Sequence, residues 1–81
     1  MATQKIAIRR GQLEALLLKE LRAITECKSA TGVQIYLRHA PGSDPNWTLA
    51  NWGIGKCPAK KCGDALREMV ARLGELYEAH P

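Results

Sequence analysis

The sequence contains no phenylalanine, only two histidines, and an odd number of cysteines, three, in 81 residues. Each shortage excludes something. Without Phe, the core has to be built from Leu, Ile and Val with two Trp and two Tyr. With His39 and His80 as its whole histidine stock, the chain has little material for general acid–base chemistry near neutral pH. A small secreted scaffold wants an even and denser cysteine set. Cys27, Cys57 and Cys62 are therefore expected as thiols in a reducing cytoplasm. No run of about 18 apolar residues exists, so no membrane span is expected. Arg9-Arg10 precede an apolar stretch in the manner of an export signal, but Glu14, Lys19 and Glu20 interrupt that stretch.

What remains is the composition of a globular chain, 46% hydrophobic and 25% charged. Its length predicts one domain over residues 1–81. A domain this size buries roughly 60–65% of its unfolded surface, and its core supplies only about 3–5 kcal/mol without staples or oligomerisation. The net charge of +4 bears on partner preference but not on fold.

Apolar periodicity predicts helices over residues 13–27 and 58–79, with strands over 33–37 and 47–52 between them. Leu13, Leu16, Leu17, Leu21 and Ile24 form one stripe on the first helix. Leu18 falls outside that stripe and Glu20 at its edge. Val33, Ile35 and Leu37 alternate with polar neighbours as in a half-buried strand, and residues 39–46 form a connecting loop. Pro58 suits a first helical turn. The second helix carries Cys62, Leu66, Met69, Val70, Leu73 and Tyr77 on one face, with Glu68–Arg72 and Asp64–Arg67 as ion pairs on the other. Residues 1–10 are either a tail or a short edge strand. The fold class is α+β: an α-β-β-α order with both helices on one face of a short antiparallel sheet.

Trp47 and Trp52 are five residues apart. In a regular strand an odd separation places them on opposite faces. One indole would then join the core, and the other would stand with Tyr36 and Arg38 on the open face. Only a bulge, at Asn51 or Gly53, would undo this. A two-stranded sheet is marginal alone and leaves its edges unpaired. Company is therefore expected, with Leu18, Tyr36, Arg38, Trp47 and Trp52 at the contact. It would come from residues 5–10 as a third strand, from edge pairing between subunits, or from a swapped helix.

Complete catalytic, cofactor or metal motifs are missing. Gly53-Ile54-Gly55-Lys56 resembles a phosphate loop only superficially, because Ala50 stands where the first Gly is needed and Cys57 replaces Ser or Thr. Cys57 and Cys62 have four residues between them, which is neither a redox pair nor a zinc knuckle. Cys27 and Cys62 fit helix faces as small hydrophobes. Cys57, beside lysines at a helix start, favours its thiolate, but neither histidine is placed to serve it. Lys56, Lys60 and Lys61 gather at a helix N-terminus, where the helix dipole disfavours cations and an anion would be welcome. With Arg9 and Arg10 they make the anion-binding candidate set. Arg38 and Tyr36 extend it toward nucleic acid. The helix–strands–helix order resembles double-stranded-RNA-binding domains, but there is no room for their third strand.

The run Asn46-Trp47-Thr48, Cys57 and Cys62, and the closing helix with Leu76-Tyr77 resemble those of short alphaproteobacterial proteins described as hypothetical. The likeness covers roughly the last two-thirds of the chain. It implies a bacterial cytoplasmic setting and assigns no activity or binding residue.

The sequence thus predicts a small non-enzymatic cytoplasmic interaction module that self-associates or binds a partner protein, with no cofactor, metal or membrane. A nucleic-acid or phosphate-binding module is the alternative.

Overall fold

The computed structural model describes residues 5–38 and 46–81. The elements run β1 (Ile6–Arg9), α1 (Arg10–Arg22), a 3-10 turn (Thr25–Cys27), β2 (Gly32–Leu37), β3 (Trp47–Gly53), α2 (Ala59–Leu76) and β4 (Tyr77–His80). The fold is α+β, as the hydrophobic periodicity predicts. The loop residues 39–45, including His39, lie outside the described residues.

β1 passes into α1 without a loop, and Arg9, still extended at φ −74° and ψ 147°, occupies the N-cap position. Leu13, Leu17 and Leu21 of α1 are fully buried, as expected for side chains on one helical stripe. The helix stops at Ala23, whose N–H is shared between the carbonyls of Lys19 and Glu20, and Ile24 then turns extended. The predicted helix to residue 27 is thus a shorter helix followed by one 3-10 turn.

β2 and β3 pair antiparallel, with Val33 opposite Trp52, Ile35 opposite Leu49 and Leu37 opposite Trp47. Asn51 faces Gln34 while Leu49 faces Ile35, so Ala50 is an extra residue in β3. This bulge changes the parity of the strand. Cross-strand partners share a face, so Trp47 and Trp52 lie on the same side as Val33, Ile35 and Leu37. The expectation of opposed indoles is therefore corrected. Trp47 is 1% exposed, and Trp52 is half-buried against the core.

The second correction concerns the chain ends. The residues 77–79 expected to end the second helix instead belong to β4, which pairs parallel with β1: Ile6 with Tyr77, Ala7 with Glu78, Ile8 with Ala79 and Arg9 with His80. Of the two alternatives for residues 1–10, a tail or a short edge strand, Ile6–Arg9 takes the strand, but it forms a separate two-stranded sheet rather than a third strand on β2–β3. Gly74 near the helix end weakens continuation by about 1 kcal/mol relative to Ala, and the ladder to β1 supplies the backbone partners that Tyr77 to His80 would lose on leaving the helix.

The two sheets are joined by side chains at the start of β3. The Asn46 amide donates through Nδ2 to the Ala79 carbonyl (2.8 Å) and accepts at Oδ1 from the Ala79 N–H (2.9 Å). Trp47 Nε1 donates to the Tyr77 carbonyl (3.2 Å). α2 covers Trp52 at Gly63, where an added Cβ would lie 3.7 Å from the indole. A disulfide joins Cys27, at the end of the 3-10 turn, to Cys62 in the first turns of α2, with Cα atoms 5.9 Å apart. The reading of these cysteines as packed thiols is corrected. Both are fully buried at the apolar helix positions expected, but they face each other there. After β3 the chain turns at Gly55 with φ +58°, and a Cβ at that position would collide with the Ser29 carbonyl. The turn sets Lys56 N–H on Ser29 Oγ at 3.0 Å.

Candidate interaction surface

The open face of β2–β3 carries Gln34 and Tyr36 from β2 with Thr48 and Asn51 from β3. Tyr36 is 60% exposed, and Arg38 follows two residues on, also exposed. This face is polar with a single aromatic ring. Of the five residues expected at a partner contact, Tyr36 and Arg38 lie on it, whereas Trp47 and Trp52 face the core. Leu18 is on α1 and half-buried against the core, so it is not the fully exposed knob that its place outside the stripe predicts. The structure does not bring these five together.

The basic residues divide as well. Lys56 stands in the turn beside Ser29, and Lys60 and Lys61 lie in the first turn of α2. Lys61 Nζ pairs with Glu26 (2.6 Å). Arg9 and Arg10 sit at the opposite end of α1, a helix of 13 residues and so about 20 Å long. The candidate cations thus divide between the two ends of α1. The start of α2 has no side-chain cap and no acid in its first turn.

Cys57 is buried, and its Sγ lies 3.4 Å from Ser29 Oγ, a hydroxyl rather than an imidazole or carboxylate. His80 is exposed on β4 beside Arg9. Among the described residues no three metal-capable side chains cluster, and the disulfide removes Cys27 and Cys62 as thiolate ligands. Among the described residues no helix is long and apolar enough to cross a membrane.

Charged side chains of the first helix do structural work that the sequence signals only in part. Glu20 Oε2 accepts from Arg72 at 3.0 Å. It is thus a rim residue with a cationic partner, and Arg72 takes Glu20 rather than the Glu68 one turn away. Asp64 and Arg67 pair at 3.6 Å as their spacing implies. Glu14 is the missed residue. Its Oε2 accepts the Ile35 N–H (2.9 Å), one of the backbone groups on the outer edge of β2. No sequence pattern marks a helix carboxylate as the partner of a strand 21 residues later.

Side chains of the domain itself meet some of the strand edges. The outer edge of β4 is occupied by Asn46 and Trp47, and β2 is met by Glu14. β1 has β4 as its neighbour in a two-stranded sheet and stands at that sheet's edge. Ile6 is 60% exposed at its start, and Leu76, 47% exposed, directly precedes Ile6's partner Tyr77. A hollow of about 340 Å³ runs along the strand, lined by Ala7, Ile8, Arg9, Gln12 and His80. No family model, curated protein or solved structure matches the chain.

Proposed function

We propose that this chain is a small non-enzymatic interaction module that self-associates through β1. The observation that carries the reading is the edge of β1: β4 is met along its outer edge by Asn46 and Trp47, and β2 at one N–H by Glu14, while among the described residues β1 presents an edge with exposed Ile6 and Leu76 at one end. An exposed strand edge is a template for another strand. Antiparallel pairing about a two-fold axis through the middle of β1 sets Ile6 of one copy opposite Arg9 of the other. Cations then do not oppose each other, and the interface is isologous. The two short sheets become one four-stranded sheet across the pair.

The nucleic-acid alternative has less support, because its cations divide between two ends and Lys61 is held by Glu26. A cytoplasmic setting, expected from the cysteine count, sits against the Cys27–Cys62 bond, since structural disulfides persist in oxidising compartments. We place the module where that bond is kept.

Sedimentation at micromolar concentration tests the reading. Twice 8.9 kDa is the expected mass, and Ile6→Lys, which puts a cation on the edge, should return the monomer. A wild-type monomer at all concentrations, or a dimer indifferent to Ile6→Lys, overturns it.

A further inference from the structure

We infer that the solvent side of α1 is a second docking surface, one for an amphipathic helix whose apolar seam is bordered by carboxylates. A shallow groove of about 470 Å³ runs along this side, lined by Ala15, Leu18, Lys19, Arg22 and Ala23. Leu18 forms its floor, packed partly against the core beneath. Residues at spacings of three, four and eight share one helical face, so the groove is a continuous stripe and not a chance indentation.

The charges on this stripe have one sign, and the reason lies inside the domain. α1 contains two acids, Glu14 and Glu20. Both are turned away, Glu14 to the Ile35 N–H and Glu20 to Arg72. Lys19 and Arg22 are left bordering the groove, and among the described residues neither has an ion pair. Arg22 uses Nε on the Lys28 carbonyl at 3.2 Å. That contact holds the guanidinium beside the helix while its two terminal nitrogens remain for an outside acceptor.

Charge selects the occupant. A second copy laid antiparallel on this stripe would place its axis near Lys19, the middle of the span from Ala15 to Ala23, and so bring Lys19 against its own counterpart. Like charges so placed are unfavourable. A helix with an apolar seam in the groove and Asp or Glu along its border meets Lys19 and Arg22 with opposite charge, the helix-in-groove mode of peptide recognition. This surface is separate from the β1 edge.

Two labelled peptides of about 18 residues, long enough to hold a helix once docked, provide the test. Both carry the same leucine seam, one bordered by glutamates and the other by lysines. Anisotropy titration should show the glutamate peptide binding about tenfold more tightly, the effect of two ion pairs on a partly covered surface. The difference should shrink as salt rises from about 50 to 300 mM. In the double variant Lys19→Glu with Arg22→Glu, the preference should invert to the lysine peptide. Circular dichroism confirms that this surface variant stays folded. Failure of both peptides to bind, equal binding, or an uninverted preference in the variant overturns the inference. Self-association that strengthens in Lys19→Glu assigns the stripe to a second copy and overturns it too. Sedimentation of Ile6→Lys, which leaves α1 intact, separates any failure here from failure of the β1 dimer.

Discussion

The side-chain amide of Asn46 makes with Ala79 both hydrogen bonds that a neighbouring strand would make, one donated and one accepted. Together with the Trp47 indole on Tyr77, it closes the outer edge of β4 and fastens the β2–β3 hairpin to the chain's last strand. Removing it leaves two partly buried backbone groups of one residue without partners.

Asn46→Ala should therefore cost about 2 kcal/mol, at about 1 kcal/mol per hydrogen bond. Asn46→Asp keeps the acceptor for the Ala79 N–H but turns a second oxygen toward the Ala79 carbonyl, and should be no better. Urea unfolding with an unchanged slope checks both. A loss below about 0.5 kcal/mol in Asn46→Ala would show that the clasp is not structural.

Deleting Ala50 would remove the extra residue of β3 and restore regular alternation. Trp47 and Trp52 could not then both face the helices, since a one-residue slip exchanges the two faces of a strand. The deletion should abolish cooperative unfolding or lower stability by at least about 3 kcal/mol, the scale of losing a large buried aromatic. A deletion variant as stable as the parent would contradict the observed register.

The positions of both central strands and both helices were legible because their apolar residues recur at two distinct periods. The bulge was not. Ala50 is small and neutral, and nothing local distinguishes it from a residue in register. The extra residue follows from both indoles being needed under the helices, a tertiary demand. Of the two positions that chemistry nominates for a bulge, Asn51 takes part in it, because Ala50 and Asn51 together oppose Gln34, whereas Gly53 pairs in register with Gly32. β4 was hidden for a similar reason. Tyr77 continues the helical spacing of Leu66, Val70 and Leu73, and only β1, some seventy residues earlier, makes the strand worthwhile. Of the candidate contact residues, sequence placed Tyr36 and Arg38 on the open face but put one indole there too. That error removes the exposed indole as a reason for expecting a partner and leaves the unpaired strand edge, the other reason, which the structure moves to β1.

The disulfide should be visible as a thiol count. Unfolded, unreduced protein should take up one iodoacetamide group, at Cys57, and reduced protein three. Folded protein should react slowly, because Cys57 is buried. Cys62→Ser should cost about 3–4 kcal/mol from the freed loop of 35 residues. Three groups on the unreduced unfolded chain would show that the bond does not form.

The indoles differ in surroundings. With Trp52→Phe, emission from Trp47 alone should be blue and resist acrylamide, as suits a ring 1% exposed. With Trp47→Phe, the remaining Trp52 should be quenched more readily, and the lost Nε1 bond to Tyr77 should lower stability by about 1 kcal/mol or more. Equal quenching in the two variants would contradict the placement of the rings.

Because β1 and β4 run side by side in the same direction, tension drawn between residue 5 and residue 80 would slide one strand along the other. Every rung of that ladder would bear load together instead of parting one at a time. A domain tethered at its two extremities is thus gripped in its most resistant direction, whereas the β2–β3 hairpin, pulled from its own two outer ends, would open like a zip.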